Sequence, residues 1–136
     1  MQKKSQASLE YVSILLLLFL ALIPVMYIGY RDLNAKNSVA QAKAVALEIT
    51  SVANQLRAQG QGSRMYVQIA MPENVDSASL NGTEVILKVR NPDGILTDVF
   101  ATANANLSGS LPSKPGVYVL NVTVLGNGNV SVSTQV

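Results

Sequence analysis

The fold is decided by Gln6-Ala7-Ser8-Leu9-Glu10-Tyr11, which leads directly into the apolar run Val12-Ser13-Ile14-Leu15-Leu16-Leu17-Leu18-Phe19-Leu20-Ala21-Leu22-Ile23. The residues ahead of this stretch are polar and include Lys3 and Lys4. The apolar character continues to Ile28, over roughly 17 residues, and a transmembrane helix needs about 17–25. The segment is therefore predicted to cross a membrane, with the carboxylate of Glu10 at its edge.

A cleaved secretory signal peptide is the alternative interpretation, because a basic start precedes a long apolar run. The run exceeds the usual ~7–15 residues of such signals, Glu10 interrupts its start, and no small-x-small cleavage site follows it. Lys3, Lys4 and the initial amine outweigh Arg31 on the other side. The positive-inside rule therefore predicts a cytoplasmic N-terminus and an exported C-terminus.

Pro24 lies inside the predicted apolar helix. Proline removes a backbone hydrogen bond and clashes with the preceding turn, so we expect a kink or a locally melted segment near Leu20–Pro24. Even in a simple membrane anchor such a kink would be tolerated, so Pro24 alone does not separate an anchor from a functional segment.

From Asn34 onward the helical pattern becomes amphipathic. Apolar residues recur at alternating spacings of three and four, which indicates a heptad stripe on one face. The stripe consists of Val39, Ala42, Ala46, Ile49, Ala53 and Leu56, widened by Val45 and Val52, with Lys36, Lys43 and Arg57 on an adjacent row. Gly60-Gln61-Gly62 is expected to end the helix.

After Gly62 the apolar period changes to two, which is typical of strands. Strands are predicted at Met65–Ala70, Glu84–Arg90, Ile95–Ala101, Val117–Leu125 and Val130–Val136. Further signals are a hairpin at Gly126-Asn127-Gly128, a turn at Asn91-Pro92-Asp93-Gly94 and a polar loop over Asn104–Lys114.

The predicted class is therefore α+β, with a long N-terminal helix packed on a C-terminal, largely antiparallel sheet of about four to six strands. The inner face of the sheet is expected to lie on the Val39–Leu56 stripe. The predicted segments are a hydrophobic helical tail over 6–33, an amphipathic half-helix over 34–60 and a β-rich head over 63–136.

The composition excludes several functions. The chain has no His, Cys or Trp, so the commonest general base, zinc ligands and thiol nucleophiles are missing. Charged residues make up 13% and the net charge is +2, which is far from the basic excess of a nucleic-acid binder. We expect neither an enzyme nor a cofactor, metal site or nucleic-acid partner.

Candidate N-glycosylation sequons occur in the β-rich half, at Asn81, Asn106, Asn121 and Asn129. A domain rich in Ser, Thr and Asn also produces such triplets by chance. Asn106 lies in the predicted loop and is the best candidate, whereas Asn121 lies in the middle of a predicted strand.

The N-terminal segment resembles the signature of archaeal type IV pilin-like proteins with a class III signal peptide, which is Gln-x-Ser-x-Glu before a long apolar run. Here the signature residues are Gln6, Ser8 and Glu10. The resemblance implies that a membrane prepilin peptidase recognises these residues and cuts between Ser5 and Gln6. Many members carry Gly where this chain has Ser5. Residues 1–5 would then be a leader peptide.

The resemblance also implies a pilin-like fold and a homopolymeric filament on the cell surface, assembled by a platform and its ATPase and serving adhesion. Before assembly the chain would reside in the cytoplasmic membrane. The residues implied in subunit assembly are Gln6, Glu10, Leu15, Leu18, Leu22 and Pro24. A neighbour's Gln6 α-amine would pair with Glu10; the simpler interpretation of Glu10 is a carboxylate that snorkels to the membrane surface.

Two other functions remain open. One is a minor pilin or pseudopilin of a secretion or uptake machine. The other is a monomeric membrane-anchored module that binds sugar or metal. Leader removal distinguishes the first from the second, since an anchored module keeps residues 1–5.

Overall fold

One long helix precedes all the strands in the computed structural model, which describes the backbone of residues 2–135 and the side chains of residues 3–135. Helix α1 spans Gln2–Gln59. The strands are β1 Arg64–Met71, β2 Val75–Asn81, β3 Glu84–Arg90, β4 Leu96–Thr102, β5 Leu107–Gly109, β6 Gly116–Val124 and β7 Val130–Gln135. The predicted α+β class is confirmed.

Residue contacts divide the chain into two compact units, Met1–Asn34 and Ala35–Val136. We call the first the tail unit and the second the head unit. The tail unit contains only the first part of α1, whereas the head unit contains the rest of α1 and all the described strands.

The strands form two sheets, not the single sheet expected from the sequence. Sheet A has the order β1-β6-β7-β5, and sheet B has the order β2-β3-β4. All pairs are antiparallel except β5–β7, which is parallel. The sequence did not predict β2 or β5, and β5 lies inside the segment Asn104–Lys114 that was expected to be a loop.

The other strands lie where the period-two pattern placed them. β3 has the predicted bounds, β1, β4 and β6 differ from the prediction by one residue at each end, and β7 begins at the predicted residue. The last residue of the predicted final strand, Val136, lies outside the described residues. The predicted hairpin is present between β6 and β7, where the Leu125 amide donates to the Asn129 carbonyl over 2.8 Å.

The heptad stripe of α1 is buried in the head unit, as predicted. Ala42, Ala46, Ile49 and Ala53 are fully buried, and Leu56 is 1% exposed. They share one apolar core with the inward residues of both sheets, among them Leu87 of β3 and Leu120 of β6. Burying such side chains is the main favourable contribution to folding.

Helix α1 ends at the predicted glycines. Gly60 has a φ of 101°, a left-handed conformation that glycine adopts without steric cost. Its amide donates to the carbonyls of Leu56 and Arg57, both over 3.2 Å, which satisfies groups left free at the helix end. The helix is unbroken through Pro24, so the locally melted segment considered from the sequence is not present there.

The outer edge of sheet B is held by side chains of α1. Lys43 donates from Nζ to the Phe100 carbonyl of β4 over 2.5 Å, and its ammonium lies 5.5 Å from the centre of the Phe100 ring. Farther along the helix, Asn54 accepts from the Asn104 amide over 2.7 Å. These bonds link the helix to the backbone at and just beyond β4.

Gly109→Ala tests the unpredicted strand β5. A Cβ at Gly109 would lie 1.9 Å from the Val132 carbonyl oxygen of β7, and the φ of +117° is unfavourable for any other residue. Backbone strain and overpacking each destabilise a fold by about 1–3 kcal/mol. The free energy of unfolding is therefore expected to fall by roughly 2–6 kcal/mol. Thermal unfolding of the protein in detergent, followed by a spectroscopic signal of the β-sheets, measures this loss of stability.

Gly126→Ala is the matched control. Gly126 lies in the β6–β7 turn, where a Cβ would have no neighbouring atom within 4 Å, and its φ is not positive. Its midpoint should stay close to that of the original chain. Equal midpoints for the two variants would contradict the parallel β5–β7 pairing.

Candidate functional site

The surface of the tail unit is apolar on every side of the helix. Each large apolar side chain from Leu9 to Leu33 is exposed, by 39% at Leu15 and up to 73% at Met26. A helix that is apolar all round belongs in a protein core or in a membrane. The most apolar part of this helix is not buried inside the structure. By its length and composition, the helix could cross a membrane.

Aromatic residues mark both ends of this apolar surface. Tyr11 lies at the start, and Tyr27 and Tyr30 lie near the end. Tyr11 and Tyr27 are about 24 Å apart along the axis at ~1.5 Å per residue, close to a hydrocarbon core of about 30 Å. Tyrosine is favoured at both membrane surfaces. From the sequence, Tyr11 was named only as part of the signature stretch and the other two tyrosines were not considered, although their spacing is visible there.

The far end also carries a charged group beside an aromatic ring. The guanidinium carbon of Arg31 lies 5.9 Å from the centre of the Tyr27 ring. A cation over an aromatic face contributes roughly 0.5–1 kcal/mol at an exposed site. Arg31 and Tyr27 thus form a polar, amphipathic end to the apolar segment.

The signature residues all lie in the first turns of α1, and all are exposed. Gln6 and Glu10 are one helical turn apart on the same face, and Ser8 lies between them in sequence. Among the described side chains, Glu10 has no hydrogen-bond or ion-pair partner. Ser13 differs, because its hydroxyl donates to the Leu9 carbonyl over 2.8 Å and is satisfied within the helix.

The bond between Ser5 and Gln6 lies inside α1. It lies in the exposed first part of the helix, only a few residues after the helix begins. Helix ends open at little free-energy cost compared with a helix centre. The geometry is therefore compatible with a peptidase that binds this segment after local unwinding.

The predicted assembly residues of the apolar run also lie on α1. Leu15, Leu18 and Leu22 follow one another at spacings of three and four and so share a face of the helix. Pro24 is exposed on the same helix. In the tail unit none of these residues has a buried side chain.

The four sequons differ in their surroundings. Asn81 and Asn106 are exposed, whereas Asn121 and Asn129 are half-buried. The amide oxygen of Asn121 accepts a 3.2 Å hydrogen bond from the Thr123 hydroxyl, which belongs to the same sequon. The side chain of Asn121 is therefore half-buried and already hydrogen-bonded, in agreement with its position on β6.

The head unit carries a polar pocket of about 170 Å³. The last turn of α1, the β2–β3 turn, the β4–β5 connection and the β6–β7 turn form its walls. Its polar lining includes Arg57, Thr83, Asn104, Asn106, Asn127 and Asn129. The sequence did not indicate this pocket, because its residues come from separate segments.

Metal chemistry has no support in the described part of the chain. Among residues 3–135 no three His, Cys, Asp or Glu side chains come together in a way that could hold a metal ion.

No protein-family model, curated protein or solved structure matches the chain.

Single cysteines can locate the apolar segment, because the chain has no cysteine of its own. Leu18→Cys lies midway between Tyr11 and Tyr27 and should resist a membrane-impermeant maleimide until detergent is added. Leu33→Cys lies beyond Arg31 and should react in intact spheroplasts. Both side chains are exposed in the protein alone, at 56% and 69%, so equal labelling would contradict membrane burial.

Proposed function

We propose that this chain is the structural subunit of an extracellular type IV pilus-like filament that serves adhesion. The proposal rests on one observation above all: the tail unit exposes apolar side chains around its whole circumference and carries at one end the carboxylate of Glu10, which has no partner among the described side chains. The signature formed by Gln6, Ser8 and Glu10 adds the resemblance to archaeal pilin-like proteins.

Such a tail has two environments that would bury it. Before assembly it is a membrane anchor; in a filament, the tails of other subunits replace the lipid. Apolar area removed from water contributes roughly 25 cal/mol per Å². The transfer from lipid to protein has no such gain, so packing and polar pairing must favour the filament instead.

Cleavage before Gln6 would prepare this transfer. It removes Lys3 and Lys4, which lowers the formal net charge from +2 to about zero. The basic leader that favours a cytoplasmic N-terminus is then gone, while the whole apolar run is retained. A membrane protein becomes a subunit that can be drawn out of the bilayer.

Glu10 gives the assembly its register. An ionised carboxylate in an apolar environment costs several kcal/mol unless it is paired. The new α-amine of Gln6 on a neighbouring subunit is a cation available at the same depth. Their pairing would favour one axial position of each subunit over positions that leave both charges unpaired.

Leader removal is tested by the intact mass of the surface form. The expected mass lacks residues 1–5 and begins at Gln6, and the same spectrum reveals whether Gln6 has cyclised. Gln6→Ala should accumulate in the membrane with its leader, because the peptidase loses a recognition residue. Ser13→Ala, whose hydroxyl is bonded within the helix, should be cut normally. A surface form that still begins at Met1 would contradict the proposal.

Glu10→Ala tests whether Glu10 sets the axial position of each subunit in the filament. The precursor should still insert and be cut, but its filament yield should collapse. Leaving one charge of a buried pair without its partner costs about 3–5 kcal/mol, which weakens association at least ~100-fold. Filaments sheared from cells and quantified by gel measure the yield.

Glu48→Ala is the control for loss of a carboxylate on the same helix, because Glu48 is exposed within the head unit. It should leave the yield near that of the original chain. A normal yield from Glu10→Ala would exclude the register role. Cleaved chain that is nearly absent from sheared filaments would instead favour the minor-pilin function.

A further inference from the structure

The polar pocket of the head unit has no part in the assembly described above. Every lining residue lies between Arg57 and Asn129, entirely within the head unit. Ligand binding there goes beyond the proposed function and does not rest on it, because a chain that never polymerises has the same pocket.

The walls of the pocket are held together by backbone hydrogen bonds. The Leu107 amide donates to the Gly82 carbonyl over 2.7 Å, which joins β5 to the β2–β3 turn. The Val130 amide donates to the Asn106 carbonyl over 2.9 Å, which joins the start of β7 to the same wall. The pocket is therefore preformed, so binding needs little ordering of the chain.

Helix α1 fixes the remaining wall. The Asn104 amide donates to the Asn54 side chain over 2.7 Å, and Arg57 lies one turn after Asn54 on the same face of the helix. The backbone near Asn104 and the backbone of Arg57 are thus held by the same helix, which places the exposed Arg57 side chain at the pocket.

An alternation of small and polar residues directs the asparagines outward. Ala103, Ala105 and Leu107 are buried in the core, whereas Asn104 and Asn106 between them are exposed. The buried residues anchor this connection, so the two amide side chains face solvent at the pocket.

The lining offers many hydrogen bonds and a single charge. Each asparagine amide has two N–H donors and one acceptor oxygen, and Arg57 has a planar fork of donors suited to a carboxylate. The side chains of Asn104, Asn106 and Asn129 have no hydrogen-bond partner among the described residues. Among the described residues that line the pocket, Arg57 alone has an ionised side chain.

We propose that this pocket binds a sugar acid, as a uronate residue of an acidic polysaccharide. Arg57 binds the carboxylate, and the asparagine amides bind the ring hydroxyls. A simple inorganic anion would leave most of these amides unused. No aromatic side chain lines the pocket in the part of the chain that the structure describes, so recognition relies on polar groups and not on stacking against a sugar face.

Two sequons share the pocket, which has a testable consequence. Asn106 and Asn129 are both lining residues and candidate glycosylation sites. A glycan on Asn106 would fill the pocket that the ligand needs. The form that binds sugar acids must therefore carry an unmodified Asn106, against the expectation from the sequence that Asn106 is the best glycosylation candidate. Peptide mass spectrometry of the native surface form should find Asn106 free, and high occupancy there would overturn the proposal.

Binding is tested on the full chain in detergent micelles, made in a host without N-glycosylation. Titration with methyl β-D-glucuronide should shift the side-chain amide signals of Asn104, Asn106 and Asn129 in nitrogen–proton NMR spectra. For a ligand of this size in an open pocket, a dissociation constant on the order of 1 mM is expected. Because the micellar chain is not polymerised, failure here leaves the filament proposal intact.

Matched ligands separate the chemistry. Methyl β-D-glucoside has the same ring without the carboxylate and should bind at least about tenfold more weakly, given the worth of a hydrogen bond between charged groups. Acetate has the carboxylate without the ring and should cause no comparable shifts at equal concentration. Equal binding of glucoside, equal shifts with acetate, or no shifts with glucuronide would each overturn the proposal.

Arg57→Gln should weaken glucuronide binding about tenfold while leaving glucoside binding unchanged, a split that a general loss of structure would not produce. Arg57→Lys keeps the charge but loses the bidentate fork, so intermediate binding is expected. Lys88→Gln removes an exposed charge from β3, outside the pocket, and should bind like the original chain. Unchanged glucuronide binding by Arg57→Gln would exclude the proposed carboxylate contact.

Discussion

The head depends on the burial of a stripe of small side chains on helix α1. Ala42, Ala46 and Ala53 are fully buried against the apolar faces of the sheets, and their size lets the helix approach closely where larger residues would force it away. Ile49 and Leu56 add larger buried side chains to the same core. The part of α1 that belongs to the head unit therefore completes the core of the head. In the tail unit the large apolar side chains are exposed, so their burial needs another environment.

The sequence predicted the elements whose side chains alternate clearly, and it missed those formed by pairing alone. Strand β2 contains Asp76, Ala78 and Asn81, residue types that are depleted in strands. It forms because it pairs along β3, for example Leu80 opposite Val85. Strand β5 has three residues and a parallel partner far along the chain, so nothing local indicates it. Two sheets therefore replaced the expected one.

The candidate sites differ in the same way. The tail is a local pattern, so its apolar run, the position of Glu10 and the exposure expected of an anchor were all visible in the sequence. The pocket is not local, because Arg57, Asn104 and Asn129 meet only after distant segments pair. One signal was present: the alternation of Ala103-Asn104-Ala105-Asn106 indicates an extended segment with its polar side chains outward, where composition alone suggested an irregular loop.

Lys43 has a consequence for how crowded copies of the head behave. An exposed edge strand is a template on which another chain can add a strand, and such addition leads to aggregation. On β4 the Phe100 carbonyl is already occupied by Lys43, and a positive charge lies at that edge. A second chain that approached there would have to displace the lysine and accept its charge. Heads that are crowded together on a surface are therefore less prone to form β-aggregates through this edge.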